Sequence, residues 1–280
     1  MKSLVKAWRA GARALVLLSL PLLAACPHHA LIARAYPPPA PAELRQLLMA
    51  RQSAVTTING AARATSWLGG DRIRATVLML VERAGRLRLE AEVSLQGTVA
   101  VLATDGQRFA LLDVRKNELR RGPACPANIA SLIRIPLSPA EVAAIFLGDA
   151  KLPEGDAASD AVDWDGDTGT DVLVVAGGTG QLRYHFRHHD TGAPTLVGVT
   201  SVDGAQQPRW RVAFEEFVDV PSRRGAVSLP QVIRYAEGTS SFDDGVEIKF
   251  KDRTANDPIA PEAFTLAAPQ NTPTIEVACP

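Results

Sequence analysis

Leu87-Arg88-Leu89-Glu90-Ala91-Glu92-Val93 alternates without a break between apolar and charged side chains. Successive side chains of a strand point to opposite faces, so this stretch predicts a β-strand with one dry face and one wet face. Working outward, Ala84-Gly85 marks the turn that joins it to an aliphatic run from Arg72 to Glu82. On the other side Gln96-Gly97 leads into Val99 to Thr104, and Asp105-Gly106 is a hairpin signal before Phe109 to Val114. The simplest topology for such a series is an antiparallel meander.

The pattern resumes in the second half of the chain. Val172 to Ala176, Gln181 to Arg187, Thr195 to Val202, Arg209 to Val218, Val227 to Tyr235 and Val246 to Lys251 all read as strands. The clearest are Trp210, Val212 and Phe214 against Arg209, Arg211 and Glu215, and Val246, Ile248 and Phe250 against Glu247, Lys249 and Lys251. Only three segments read as helices. Ala42 to about Ile58 places Leu44, Leu47, Leu48 and Val55 on one stripe, with Asn59-Gly60 following as a break. Pro126 to Ile133 and Ser138 to Leu147 interrupt the strands, the latter opening Ser138-Pro139-Ala140-Glu141 as a capping box with proline at the first helical position. The fold class is therefore mainly β (α+β). A curved antiparallel sheet of about ten strands must bury its concave face by closure, by a second sheet or by helices. With so few helices, an open half-barrel lidded by them is the architecture predicted, and its interior would be an apolar cavity.

Composition limits what such a fold could do. Residues 1–25 carry Lys2, Lys6, Arg9 and Arg13 ahead of an apolar run from Ala14 to Leu23, the build of a secretory signal. The run is shorter than the roughly 20 residues of a membrane span. Leu23-Ala24-Ala25-Cys26 resembles the lipobox of bacterial lipoproteins, in which the cysteine is acylated and becomes the first mature residue. Of the balanced 30 basic and 30 acidic residues the signal removes four basic ones, leaving a net charge of −4 and no basic excess for nucleic acid. Residues 26–41 then read as the lipidated cysteine and a proline-rich tether, extended and semi-rigid. With Cys26 set aside, Cys125 and Cys279 remain as a pair that an exported protein could bridge; two free thiols are the alternative.

Candidate reactive clusters are weak. Asp163, Asp165 and Asp167 have the first spacings of a calcium loop, but Thr168 stands where glycine is expected and Val174 where a bidentate carboxylate is. A solvated acidic turn is the better reading. His185, His188, His189 and Asp190 suggest a metal cluster, yet alternation puts His185 on the wet face with Arg183 and Arg187. His28 and His29 read as solvated linker residues. No nucleophile elbow, zinc-protease helix, phosphate loop or CxxC occurs. The expectation is a protein that is not an enzyme, with no cofactor and no resident metal.

The order of parts resembles a known family. An export signal, an amphipathic helix, a strand meander, a mid-chain Ser138-Pro139-Ala140-Glu141-Val142-Ala143-Ala144-Ile145-Phe146-Leu147-Gly148, further hairpins and a closing Pro261-Glu262-Ala263-Phe264-Thr265-Leu266-Ala267-Ala268-Pro269 are similar to the envelope lipoprotein-carrier and lipoprotein-receptor proteins, the Lol family (LolA/LolB-like). The resemblance covers 42–269, leaving 270–280 as a tail. It implies a half-barrel holding acyl chains, and a lipidated Cys26 agrees with the membrane-bound receptor branch. Pro27 stands where an aspartate would signal inner-membrane retention in such proteins, which points to the periplasmic face of the outer membrane. A monomer binding an acyl chain or a lipoprotein is the primary expectation. Its cavity would be lined by Val77, Met79, Leu87, Leu89, Val99, Val101, Phe109 and Leu111, with Ile145 and Phe146 from the lid. Trp67-Leu68 is the candidate for an exposed membrane-inserting tip. Two other readings stand beside it: a structural or interaction lipoprotein whose core is filled by its own side chains, and a hydrolase in which Asp163, Asp165 or Asp171 converge on a cleft.

Overall fold

The computed structural model describes residues 30–68, 71–153, 157–190, 192–223 and 225–280, so Cys26 lies outside the described residues. Helix α1 is Pro41–Ala54; strands β1 (Thr57–Leu68), β2 (Asp71–Glu82), β3 (Arg86–Val93), β4 (Gly97–Thr104), β5 (Arg108–Asp113) and β6 (Glu118–Pro123) follow. Then come α2 (Pro126–Ile133) and α3 (Pro139–Phe146). The second run comprises β7 (Ala161–Asp165), β8 (Thr170–Gly177), β9 (Gly180–Arg187), β10 (Thr195–Asp203), β11 (Pro208–Ser222), β12 (Gly225–Glu237) and β13 (Val246–Ala255), and β14 (Thr274–Glu276) closes the chain. All belong to one sheet in the order β14-β6-β5-β4-β3-β2-β1-β13-β12-β11-β10-β9-β8-β7. It curves into an open half-barrel, as predicted, with the three helices in its trough.

Local chemistry explains the helices. Pro41 opens α1, Glu43 sits in its first turn and Arg51 in its last, matching the helix dipole, while Leu44 and Leu48 are buried. The capping box of α3 is formed: Glu141 N–H donates to Ser138 Oγ at 3.4 Å and Ser138 N–H to Glu141 Oε2 at 2.9 Å. The helix packs over β2 and β3. It comes so close to their turn that a Cβ on Gly85, whose φ is +87°, would meet the Ala140 nitrogen at 2.9 Å.

The structure corrects several boundaries. Helix α1 ends at Ala54, and the β-branched run from Val55 enters β1, which continues straight through Asn59-Gly60. Gly60 marks no break: β13 crosses so closely that a Cβ there would lie 2.4 Å from the Asp252 carbonyl oxygen. Strand β7 takes in Asp163 and Asp165 from the stretch read as a solvated acidic turn, and β6 and β14 carry too little alternation to announce themselves.

Pairing registers divide the side chains between the two faces. Val77 opposes Ala91, which opposes Ala100, and Met79, Leu89, Leu102 and Leu111 form the next inward row. Val77, Met79, Leu89, Leu102 and Leu111 join one buried cluster with Leu44, Leu48, Ile145, Phe146, Tyr184, Phe186, Phe214 and Phe250. The tail covers part of the outer face. Pro261–Phe264 lies over β3 and β4, Phe264 is buried, and Arg121 Nη2 donates to the Leu266 carbonyl at 2.8 Å. Beyond it β14 pairs parallel to β6, and Cys279 is disulfide-bonded to Cys125 across 154 positions, with Cα atoms 6.1 Å apart. Closing so long a loop removes unfolded-chain entropy worth up to about 5 kcal/mol.

Candidate binding cavity

The helices fill most of the trough but not all of it. A cavity of about 320 Å³ remains between the neighbouring strands β1 to β4 and β13, with the end of α2 and Phe146 of α3 closing it. Its walls are apolar because the inward row of each strand is apolar: Ala64 on β1, Val77 and Met79 on β2, Leu89 on β3, Val246 and Ile248 on β13. Such a space retains little water, since an apolar wall offers no hydrogen bonds to hold it.

Of the ten residues expected to line a cavity, Val77, Met79, Leu89, Val99 and Phe146 do so. Leu87, Phe109, Leu111 and Ile145 are buried in the packed cluster instead, away from the free space. Val101 is placed on the other face, opposite Glu90 and Leu112. The reason is an irregularity in the β3–β4 pairing between Ala91 and Glu92, where Ala91 pairs with Ala100 and Glu92 with Thr98. The extra residue, Val99, breaks the period of two, so Val99 and Val101 do not share a face. Alternation had already put Val246 and Ile248 on one dry face; missing was the pairing of β13 with β1, which closes the meander and brings them to this site. The contribution of α2, through Leu132, Ile133 and Arg134, left no periodic signal in so short a helix.

Charged residues gather where the cavity opens: Arg74, Arg115, Arg134 and Asp113. Asp113 accepts from the Lys116 N–H at 3.1 Å and its other oxygen lies 3.6 Å from Lys116 Nζ. Leu95, in the turn between β3 and β4, is fully exposed and has φ 68°. Of the Trp67-Leu68 pair, Trp67 is half-buried with the Arg72 guanidinium 5.2 Å from its ring centre. The Leu68 side chain lies outside the described residues, and Leu95 is the most exposed of the large apolar side chains among the described ones.

The edge of the trough at β7 to β9 is occupied quite differently. The chain from Ile32 to Tyr36, part of the stretch that composition reads as a free spacer, is bound to the sheet. Ile32 N–H donates to the Gly166 carbonyl and Trp164 Nε1 to the Ile32 carbonyl, both at 2.8 Å. The fully buried Asp171 carboxylate pairs with Arg34 at 2.6 Å, accepts from the Tyr36 hydroxyl at 3.0 Å and lies 3.0 Å from His188 Nε2. Burial and the neighbouring carboxylate push the Tyr36 phenol up to about 12. Next to this strap, Arg45 of α1 pairs with Asp160 at 2.6 Å.

The strap also disposes of the reactive clusters. Asp171 opposes Trp164 and therefore faces away from Asp163 and Asp165, so the three carboxylates do not converge. Asp165 caps its own turn, accepting from the Asp167 N–H at 3.0 Å and the Thr168 hydroxyl at 2.7 Å. His188 faces Asp171, His185 lies on the outer face between Thr170 and Thr200, and His189 reaches Thr195. Among the described residues no group of three or more histidines, cysteines or carboxylates is placed to hold a metal ion.

No protein-family model matches the sequence, and no curated protein matches it. Solved structures do. A DUF1329 family protein from Desulfovibrio piger superposes with a TM-score of 0.52 over 82% of this chain and 98% of its own, at 10% identity. A LolA superfamily protein from Nitrosomonas europaea gives 0.49 over 79% and 97%, at 11% identity. The first is a likeness of fold: the same open, helix-lidded half-barrel on an unrelated-looking sequence.

Proposed function

We propose that this chain is a lipid-anchored protein of the bacterial envelope that holds an acyl chain, free or as the lipid of a lipoprotein, in the half-barrel and passes it on. The observation that carries this reading is the apolar cavity left between β1–β4, β13 and α2. Transferring an acyl chain from water into such a space is favourable by about 0.8 kcal/mol per methylene. The lipobox at Cys26 supplies the anchor, which would keep the protein on the periplasmic face of the outer membrane as a monomer. Because Ile32 is docked on the sheet, six residues of chain, at most roughly 20 Å when fully extended, separate Cys26 from the domain, which would keep the domain close to the bilayer. Leu95, exposed at the β3–β4 turn beside the cavity, is the group that would meet an acceptor during transfer. No chemistry is required of the side chains, in keeping with a binding role and not catalysis.

Native mass spectrometry of the purified protein, followed by titration with a fluorescent acyl probe, tests the reading. Co-purifying lipid, or saturable binding that Ala91→Phe abolishes, is expected. A folded protein that carries no lipid and takes up no probe would favour the filled-core interaction module.

A further inference from the structure

The cavity has apolar walls and a charged opening, and the charges there are unbalanced. Arg115 sits in the turn after β5, Arg134 is the residue that ends α2, and Arg74 lies near the start of β2. All three border the cavity and are exposed, and none has an ion pair or a hydrogen-bonded side-chain partner among the described residues. The one carboxylate at the opening, Asp113, is already engaged by Lys116. Several arginines elsewhere are matched, Arg34 with Asp171, Arg45 with Asp160, Arg83 with Asp149 and Arg234 with three carboxylates, whereas Arg63, Arg187 and Arg209, also without an ion pair, lie apart from one another and do not border the cavity. A surplus of guanidinium groups on a mature chain of net negative charge, gathered at the opening of an apolar cavity, suits a ligand with an anionic end. Guanidinium forks match carboxylate and phosphate oxygens in bidentate geometry and gain nothing from a neutral head. The volume, at the small end of the roughly 300–1,000 Å³ of small-molecule sites, suits a single aliphatic chain.

Resting on the acyl-binding reading above, we propose that the ligand is a single-chain anionic amphiphile. Its tail lies against Val77, Met79, Leu89 and Phe146, and its carboxylate or phosphate lies at Arg115 and Arg134, with Arg74 adding to the field. Isothermal titration with dodecanoate, dodecyl phosphate and the uncharged 1-lauroylglycerol, at low and high salt, tests this on the wild type and on Arg115→Gln/Arg134→Gln. Both substituted residues are exposed, and an unchanged Tm verifies that the variant folds. The anionic probes are expected to bind about tenfold more tightly than the uncharged one at low salt, and the double variant to bring that ratio close to one. Whichever of dodecanoate and dodecyl phosphate binds more tightly identifies the head as carboxylate or phosphate. Equal binding of all three probes, or a ratio unchanged in the variant, overturns the anionic head while leaving acyl binding intact. Binding of none of them overturns the acyl-binding reading itself, and this inference with it.

Discussion

Two regions of the same trough have met the demand for burial in opposite ways. At the β7–β9 edge a polar strap lies on the sheet, and its charges are paired: Asp171 with Arg34, Tyr36 and His188, and Asp160 with Arg45. Around β1 to β4 and β13 the inward row is apolar, α2 and α3 cover it only in part, and space remains. A buried carboxylate demands partners in fixed places, which pins a segment in one position. An apolar wall makes no such demand and can be left empty or filled by whatever chain arrives. A paired strap therefore suits permanence, and an apolar cavity suits exchange.

Breaking the strap should have the largest effect. Asp171→Ala leaves Arg34 and His188 without their shared partner and is expected to cost about 3 kcal/mol in urea unfolding, with new proteolytic cleavage between Ile32 and Tyr36. Retained stability and protection would mean that the strap is held by its backbone contacts alone. Filling the cavity region should invert the comparison. Ala91→Phe adds side-chain volume on the inward face, so stability should move by no more than about 1 kcal/mol, whereas in a dry packed core overpacking costs about 1–3 kcal/mol. Acyl-probe affinity should fall at least about tenfold, or 1.4 kcal/mol.

At Leu95 the expected change is kinetic. Leu95→Ser should leave Tm within error, as for other exposed sites, and slow acyl transfer to acceptor vesicles in a stopped-flow assay. An unchanged transfer rate would remove the tip from the mechanism. The smallest effect belongs to the outer side of the strap region. Burial holds the His185 imidazole below its ordinary value, against the opposing pull of Asp165. The unfolded chain therefore binds more protons than the native one once pH falls below about 6.5. Stability should decline as pH drops through that point and be unaffected above it, and His185→Gln should flatten the decline in a pH series of thermal melts.

Much of this was legible in the chain. The period of two in Leu87–Val93, Arg209–Glu215 and Val246–Lys251 announced the sheet, and the limits of α2 and the cap of α3 were readable to the residue. The readings that failed share one cause: each took a local signal at face value where a distant neighbour in the fold overrides it. Val101 was assigned inward across the irregularity at Val99, and Gly60 was taken for a break when it is a crossing point with β13. The strap was read as free spacer because proline content reports backbone stiffness and says nothing of partners more than a hundred residues away, such as Asp171 for Tyr36.

By itself the sequence determined the class of fold, the three helices, and a cysteine pair free to bridge, since each of these rests on local spacing or on a count. Tertiary structure decided which inward-facing residues pack and which leave space, that the Cys125–Cys279 bridge forms, and that unpaired arginines gather where the cavity opens. Those outcomes depend on strand register and on how elements distant in the chain meet, and no local pattern carries that information.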